Sequence, residues 1–511
     1  MDSNAAGTSP LQTWLAIGSQ QNTTAPAIAQ LVRHSAPIDV LDDDSLLNVF
    51  RLYRPPLVDG NEGYDDRVML GSQWNRERWW YKLTHVCRRW RHLILGSASS
   101  LGLCLLCAPG TPVADMLAHS PPFPIIIDHL RHDVNNRMTA NDVEGIILAL
   151  KHRDRVRRIR FRTPFPSMAE KIMVPMNGEF PMLEYLCISP MHLMGFLFPS
   201  TLQAPQLRYL ILINIICPIG SPLLSAAKNL VALSLVNITS STYFQPDELR
   251  HRVSLIPQLE SLWITFDSVF SGQYADLGVT QIPNATHISL LNLRHYHFGG
   301  FNAYSEALLF RITAPHLEEV SVTFWEERPL SVSCLVKFMS TSEDLRLGSA
   351  ALSFNGGGAR LMAYPNEKAR VCVFYMIIVS GPGRKVSNAA HVLTALSPLL
   401  SSVVHLTLNY TDSRSLPELQ NEADPTDWRV LLGSFHNVTV LFVMEGAVGK
   451  LSRSLPSDGG ESSSDFLPEL KEIIYPPGND NADAFDGFID ARQNAGHPVT
   501  LIHQHDSDLS D

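Results

Sequence analysis

Long apolar runs are missing from this 511-residue sequence. The run YLILINIICPI at 209–219 is far too short to cross a bilayer as a helix, which takes about 20 apolar residues. No membrane association is expected. The opening MDSNAAGTSPLQTWLAIG has no basic region followed by an apolar stretch, so no secretory leader is expected and a cytoplasmic or nuclear location is. In such a chain the N-x-T sequons at Asn22, Asn237, Asn284, Asn409 and Asn437 carry no meaning. The seven cysteines are an odd number, and most sit inside apolar runs, which suits free buried thiols in a reducing compartment better than a disulfide framework. Cys104 and Cys107 have C-x-x-C spacing, but no second pair or histidine cluster accompanies them, so no metal is expected.

An excess of positive charge is lacking too: 40 basic against 50 acidic residues leave a net charge of −10. Such a chain repels polyanions on average, and nucleic-acid binding would need a segregated basic patch. The one candidate is KHRDRVRRIRFR at 151–162, where Arg158, Arg160 and Arg162 alternate with Ile159 and Phe161 as on a strand with one solvated face. No nucleic-acid partner is expected. Catalytic motifs are absent as well. The 19 histidines form no convincing H-x-x-x-H or H-E-x-x-H pair. The Gly-rich NGGGARL (355–361) and SGPGRKV (380–386) do not match the phosphate-loop pattern G-x-x-x-x-G-K-[ST] and read as turns between repeats. Neither an enzyme nor a cofactor is expected.

What is present is an ordinary foldable composition, 45% apolar and 18% charged. Residues 1–36, rich in Ser, Thr, Ala, Asn and Gln, read as a disordered arm, and 37–106 as a helical unit with a long internal loop at 51–79. A connector is expected at 107–141, centred on the Pro-rich APGTPVADMLAHSPPFP, then a repeat region over 142–503 and an acidic tail at 504–511.

Across the repeat region one phrase recurs: an apolar residue, two others, an apolar residue, one other, an apolar residue. It starts at Val156, Leu183, Leu207, Leu230, Leu259, Ala285, Leu317, Val403, Val438 and Leu470. SAALSF (349–354) and ARVCVFY (369–375) are candidate strands for the long interval after Leu317. Helix-like stretches lie between, such as 142–152, 304–313 and 388–400, and 482–503 reads as a closing helix and strand. A strand and a helix recurring at about 23–35 residues is the pattern of a leucine-rich-repeat solenoid, in which stacked units share one core. Asn214, Asn237 and Asn292 each fall seven residues after the first apolar position. The expected fold is α/β: a small all-helical unit followed by an irregular leucine-rich-repeat-like α/β solenoid.

In the helical unit, WWYKLTHVCRRWRHLI (79–94) sets Cys87 beside Arg88 and Arg89. On one continuous helix Trp80, Leu83, Val86, Cys87, Trp90 and Ile94 share a face about 120° wide, which makes Cys87 a small hydrophobe of core or interface and not a nucleophile. The residues Trp80, Leu83, Val86, Cys87, Arg88, Trp90 and Arg91 also fill the pattern W-x-x-L-x-x-V-C-R-x-W-R. That resembles the second half of an F-box. LDDDSLLNVF (41–50) aligns with the first half, L-P-x-E-[IL]-L-x-x-[IV]-F, through Leu41, Leu46, Val49 and Phe50. Asp42 replaces the proline, Asp44 the glutamate and Ser45 an aliphatic residue, Gly102 stands where a tryptophan often follows, and the 51–79 loop is long. Three aspartates still suit a helix start, by capping free N–H groups and matching the dipole.

The layout, an F-box followed by degenerate repeats, resembles the large F-box families of basidiomycete fungi. The resemblance implies a non-catalytic adaptor. Its F-box would dock on a Skp-type linker, and through it on a cullin carrying the ubiquitin-transfer machinery, while the repeats hold a target protein. By position, Leu41, Asp42, Leu46, Phe50, Leu83, Val86, Cys87 and Trp90 would form the docking unit. The alternative is a protein-binding repeat scaffold not coupled to ubiquitination.

Overall fold

The computed structural model describes residues 40–54, 79–130, 138–162, 166–190, 196–239, 244–267, 286–325, 330–380, 384–411, 425–455, 466–476 and 483–503. The expected arm at 1–36 and tail at 504–511 lie outside them. The described chain falls into two units, 40–54 with 79–101, and 102–503.

The first unit is helical. Helix α1 (Asp43–Tyr53) starts after Asp42, whose backbone is extended and whose carboxylate accepts the Ser45 N–H at 2.6 Å, with Asp43 and Asp44 in the first turn. Leu46 and Phe50, one turn apart, are 0% and 1% exposed, a burial that contributes about 2–3 kcal/mol each. Helices α2 (Trp79–Thr84), α3 (Arg88–Gly96) and α4 (Ala98–Leu101) follow. The expected continuous helix through Trp80 and Ile94 is therefore broken at 85–87. Cys87 is extended (φ −154°, ψ 172°) and caps α3, its Sγ accepting the Trp90 N–H at 3.5 Å. Arg91 Nε donates to the Thr84 carbonyl across the break at 3.0 Å. Cys87 is exposed and belongs to no apolar stripe. Of the loop expected at 51–79, residues 51–53 belong to α1 and Trp79 opens α2, while 55–78 lie outside the described residues.

The second unit opens with β1 (Leu105–Cys107) and β2 (Ile125–His129), with the helix Val113–His119 between them. The expected connector at 107–141 is thus the first coil of the repeat region, and the helical unit ends at Leu101 instead of 106. Next come β3 (Val156–Phe161), β4 (Tyr185–Ile188), β5 (Phe196–Leu197), β6 (Tyr209–Ile213) and β7 (Ile215–Ile216). They are followed by β8 (Ala232–Ile238), β9 (Ser261–Phe266), β10 (Ile288–Ser289), β11 (His295–Gly300), β12 (Ile312–Thr313) and β13 (Glu319–Phe324). The last are β14 (Ser349–Asn355), β15 (Gly358–Tyr364), β16 (Phe374–Val379), β17 (His405–Tyr410), β18 (Val440–Val443), β19 (Glu472–Tyr475) and β20 (Thr500–His503). Sixteen of them form one sheet in the order β1-β2-β3-β4-β6-β8-β9-β11-β13-β16-β15-β14-β17-β18-β19-β20. Every ladder in it is parallel except the two made by β15.

The recurring phrase sets the register. Leu186, Leu210, Leu233, Leu262, Tyr296, Val320 and Phe374 are cross-strand partners in one row, and none is more than 3% exposed. Such rows face the helices, for example Lys385–Leu400 against β15 and β16. The alternate residues face outward, because side chains along a strand change sides at every step. Two expected strands are displaced. The phrase at Ala285 yields only β10, which pairs with β12 apart from the main sheet; the sheet strand is β11, with Tyr296 and Phe298 in the apolar places. ARVCVFY contributes only its last two residues to β16. The unexpected strand is β15, which turns back on β14 at Gly358: φ is +141°, and a Cβ there would lie 2.1 Å from the Ile378 carbonyl oxygen.

Side-chain amides tie successive coils together in two ways. Asn214 and Asn237 both adopt φ +57°. Asn237 Nδ2 donates to Asn214 Oδ1 at 2.9 Å, and Asn214 Nδ2 donates to the Pro190 carbonyl at 3.0 Å. Asn292 does something else. Like Asn229 and Asn437, it stands three residues before a sheet strand and donates to the backbone of the preceding coil, at the carbonyls of Pro257, Pro205 and Ser401 respectively.

Candidate functional site

The eight residues expected to dock a partner separate into two sets. Leu46 and Phe50 are internal, and the Phe50 ring meets Trp90 edge-on with centroids 4.9 Å apart. Leu83 and Trp90 are half-buried. Leu41, Asp42, Val86 and Cys87 are exposed, Val86 to 59%. The hydrogen bonds that Ser45 gives its carboxylate hold Asp42 below the usual carboxylate range. Arg89, which reads as a surface residue, ties the start of α3 to the start of α1: it bonds Asp43 Oδ1 at 2.7 and 3.0 Å and the Leu41 carbonyl at 2.6 Å. Both side chains are more than a third exposed, so this pair contributes about 0.2–1 kcal/mol.

The expected docking set does not include Val49, Leu52 and Tyr53, which are apolar or aromatic and 42%, 86% and 55% exposed. They lie at i, i+3 and i+4 on α1, a spacing that places them on one face. That signal was available in the sequence, because Leu46 and Phe50 share a different face of the same helix. A small helical unit thus closes a core around Leu46, Phe50 and Ile94 and leaves aliphatic and aromatic side chains in water.

The outward face of the sheet is the second candidate. Trp263 on β9 and His297 on β11 are register partners and stack at 3.7 Å with 24° between their planes. Burial pushes the His297 imidazole down from 6.5 to about 4, so it is neutral at physiological pH. The arginine-rich stretch on β3 finds partners in its own chain. Arg160 pairs with Asp128 at 3.5 Å, Arg157 with Glu184 at 2.9 Å, and Arg158 and Arg160 both lie over the Tyr185 ring. Cys104 and Cys107 are buried. Among the described residues no group of three or more His, Cys, Asp or Glu is placed to hold a metal ion. No helix among them is long and apolar enough to cross a membrane.

No protein-family model matches this sequence, and no curated protein matches it. Among solved structures, the leucine-rich repeat-containing protein LegL7 from Legionella pneumophila aligns with 78% of this chain and 99% of its own. Identity is 10% and the TM-score 0.26, too loose to carry an argument. The character of the second unit rests on its own parallel ladder, its buried rows and its coil-to-coil amide bonds. It is leucine-rich-repeat-like.

Proposed function

We propose that this chain is a non-catalytic substrate-recognition adaptor of an SCF-type ubiquitin ligase, working in the cytoplasm or nucleus. The helical unit docks on a Skp-type linker and so on a cullin, and the repeat sheet holds the protein to be ubiquitinated. The observation that carries the reading is the division within the helical unit. The F-box-like pattern supplies both a closed core, Leu46 and Phe50 with Trp90, and an unburied apolar set that includes Leu41, Val49, Leu52 and Val86. Exposed apolar side chains on so small a unit are what a partner surface consists of. Docking residues are accordingly Leu41, Val49, Leu52, Tyr53 and Val86, with Asp42 and Cys87 at their margin as helix caps.

Asp42 favours a second reading, a repeat scaffold uncoupled from ubiquitination. Its carboxylate is spent on capping α1, at the position where the F-box pattern has proline. Co-expression of the full chain with a Skp-type linker separates the two. The adaptor co-elutes with the linker on size exclusion, and a Leu52→Asp, Val86→Asp variant elutes alone. A folded wild-type chain that never retains the linker leaves the scaffold.

A further inference from the structure

The hairpin β14–β15 breaks the parallel repeat, and it delivers one charged group to the open face of the sheet. Arg360 on β15 is the register partner of Ser353 on β14 and of Ile377 on β16. Beyond these, the same row holds Asn409 on β17 and Thr323 on β13. All five are half-exposed, so the row is open to solvent. The Arg360 guanidinium leans over the Tyr375 ring, 5.8 Å from its centroid. Its Nε is buried without a hydrogen-bond acceptor among the described residues. No carboxylate stands among its row partners, unlike Arg157 and Arg160, which meet Glu184 and Asp128. A guanidinium held against an aromatic ring, with no carboxylate among its described row partners, matches a planar two-oxygen acceptor through its terminal N–H groups.

We infer that Arg360 is the anchor of a binding site for a carboxylate borne by an extended segment of the target protein. Ser353, Asn409 and Thr323 are the hydrogen-bonding groups beside it. One cation with no second cation in its row is matched by a monoanion, and a phosphate dianion would leave a charge unbalanced. This inference rests on the target-holding half of the reading above and not on the linker. A linker that fails to bind therefore leaves it standing.

The test is selection of displayed random dodecapeptides on the full chain, in two libraries, one with free C-termini and one with C-termini fused to the carrier. Enrichment of Asp or Glu in the fused library assigns a side-chain carboxylate, and enrichment confined to the free library assigns a chain terminus. Arg360→Gln should weaken the selected peptide about 10-fold or more. Arg360→Lys, which keeps the charge but not the fork, should fall between, and Arg360→Glu should exchange acidic for basic preference. Unchanged unfolding midpoints for Arg360→Gln and Arg360→Lys separate recognition from folding. No enrichment, or an acidic preference indifferent to Arg360, overturns the inference. So does tighter binding when phosphoserine replaces the selected acid, because that site would take a dianion.

Discussion

Asn237 tests the coil-to-coil bonding most sharply. Its backbone is left-handed, at φ +57°, and its side chain donates to Asn214 Oδ1 at 2.9 Å. Asn214 is 8% exposed, so the acceptor cannot recover a water freely. Asn237→Ala removes the donor, which costs about 1–3 kcal/mol for a buried acceptor left unpaired. It also forces alanine into a conformation that costs an L-residue about 1–2 kcal/mol. Asn237→Gly loses the same hydrogen bond but not the backbone compatibility. The expected losses are therefore about 2–5 kcal/mol for alanine and about 1–2 kcal/mol less for glycine. Native-state amide exchange in β6 and β8 reads this directly, with about tenfold less protection per 1.4 kcal/mol. Alanine tolerated as well as glycine would refute the strain argument, and both tolerated like wild type would refute the ladder itself.

Three further outcomes follow from single residues. Phe50→Ala should destabilise the helical unit by about 3–5 kcal/mol, while Leu52→Ser, at 86% exposure, should stay within about 0.5 kcal/mol. Tryptophan-fluorescence urea titrations rank the two, and the reverse order would mean the core and surface sets are exchanged. His297 titrates near 4 when folded against 6.5 when unfolded, so between those values the unfolded state binds more protons and stability rises with pH. The contribution is lost as pH falls from 6.5 towards 4, and His297→Gln should flatten that window in a stability–pH profile. Arg492, 0% exposed, donates to the carbonyls of Phe466, Pro468 and Leu470. Arg492→Met leaves three carbonyls without it and should expose β19–β20 to limited proteolysis; a cleavage pattern like that of wild type would show the contacts to be dispensable.

The repeat was legible wherever leucine or valine held the buried row, as at Leu186, Leu210, Leu233, Leu262 and Val320. It blurred where Tyr296 and Phe298 took those places between histidines, and the apolar phrase nearby drew the strand seven residues too early, to β10. The first coil was hidden by Pro112, Pro121 and Pro124, which flank β1 and β2 and interrupt neither. In the helical unit the 100° periodicity ran on through a break that no periodicity encodes. A thiol cap at Cys87 and an arginine reaching back to Thr84 stop one helix and restart another, and Val86 and Cys87 turn outward as a result. The Arg89–Asp43 pair was not legible either, because its partners lie 46 residues apart in sequence.

Docking through the exposed side chains of the helical unit is tested most directly by calorimetric titration of the full chain with a purified Skp-type linker. Saturable 1:1 binding is expected, with a heat that becomes more negative with temperature, the mark of apolar burial, and an affinity weakened about 10-fold or more by Leu52→Asp. A folded chain that gives no binding heat at any temperature, or an affinity indifferent to Leu52 and Val86, would contradict it.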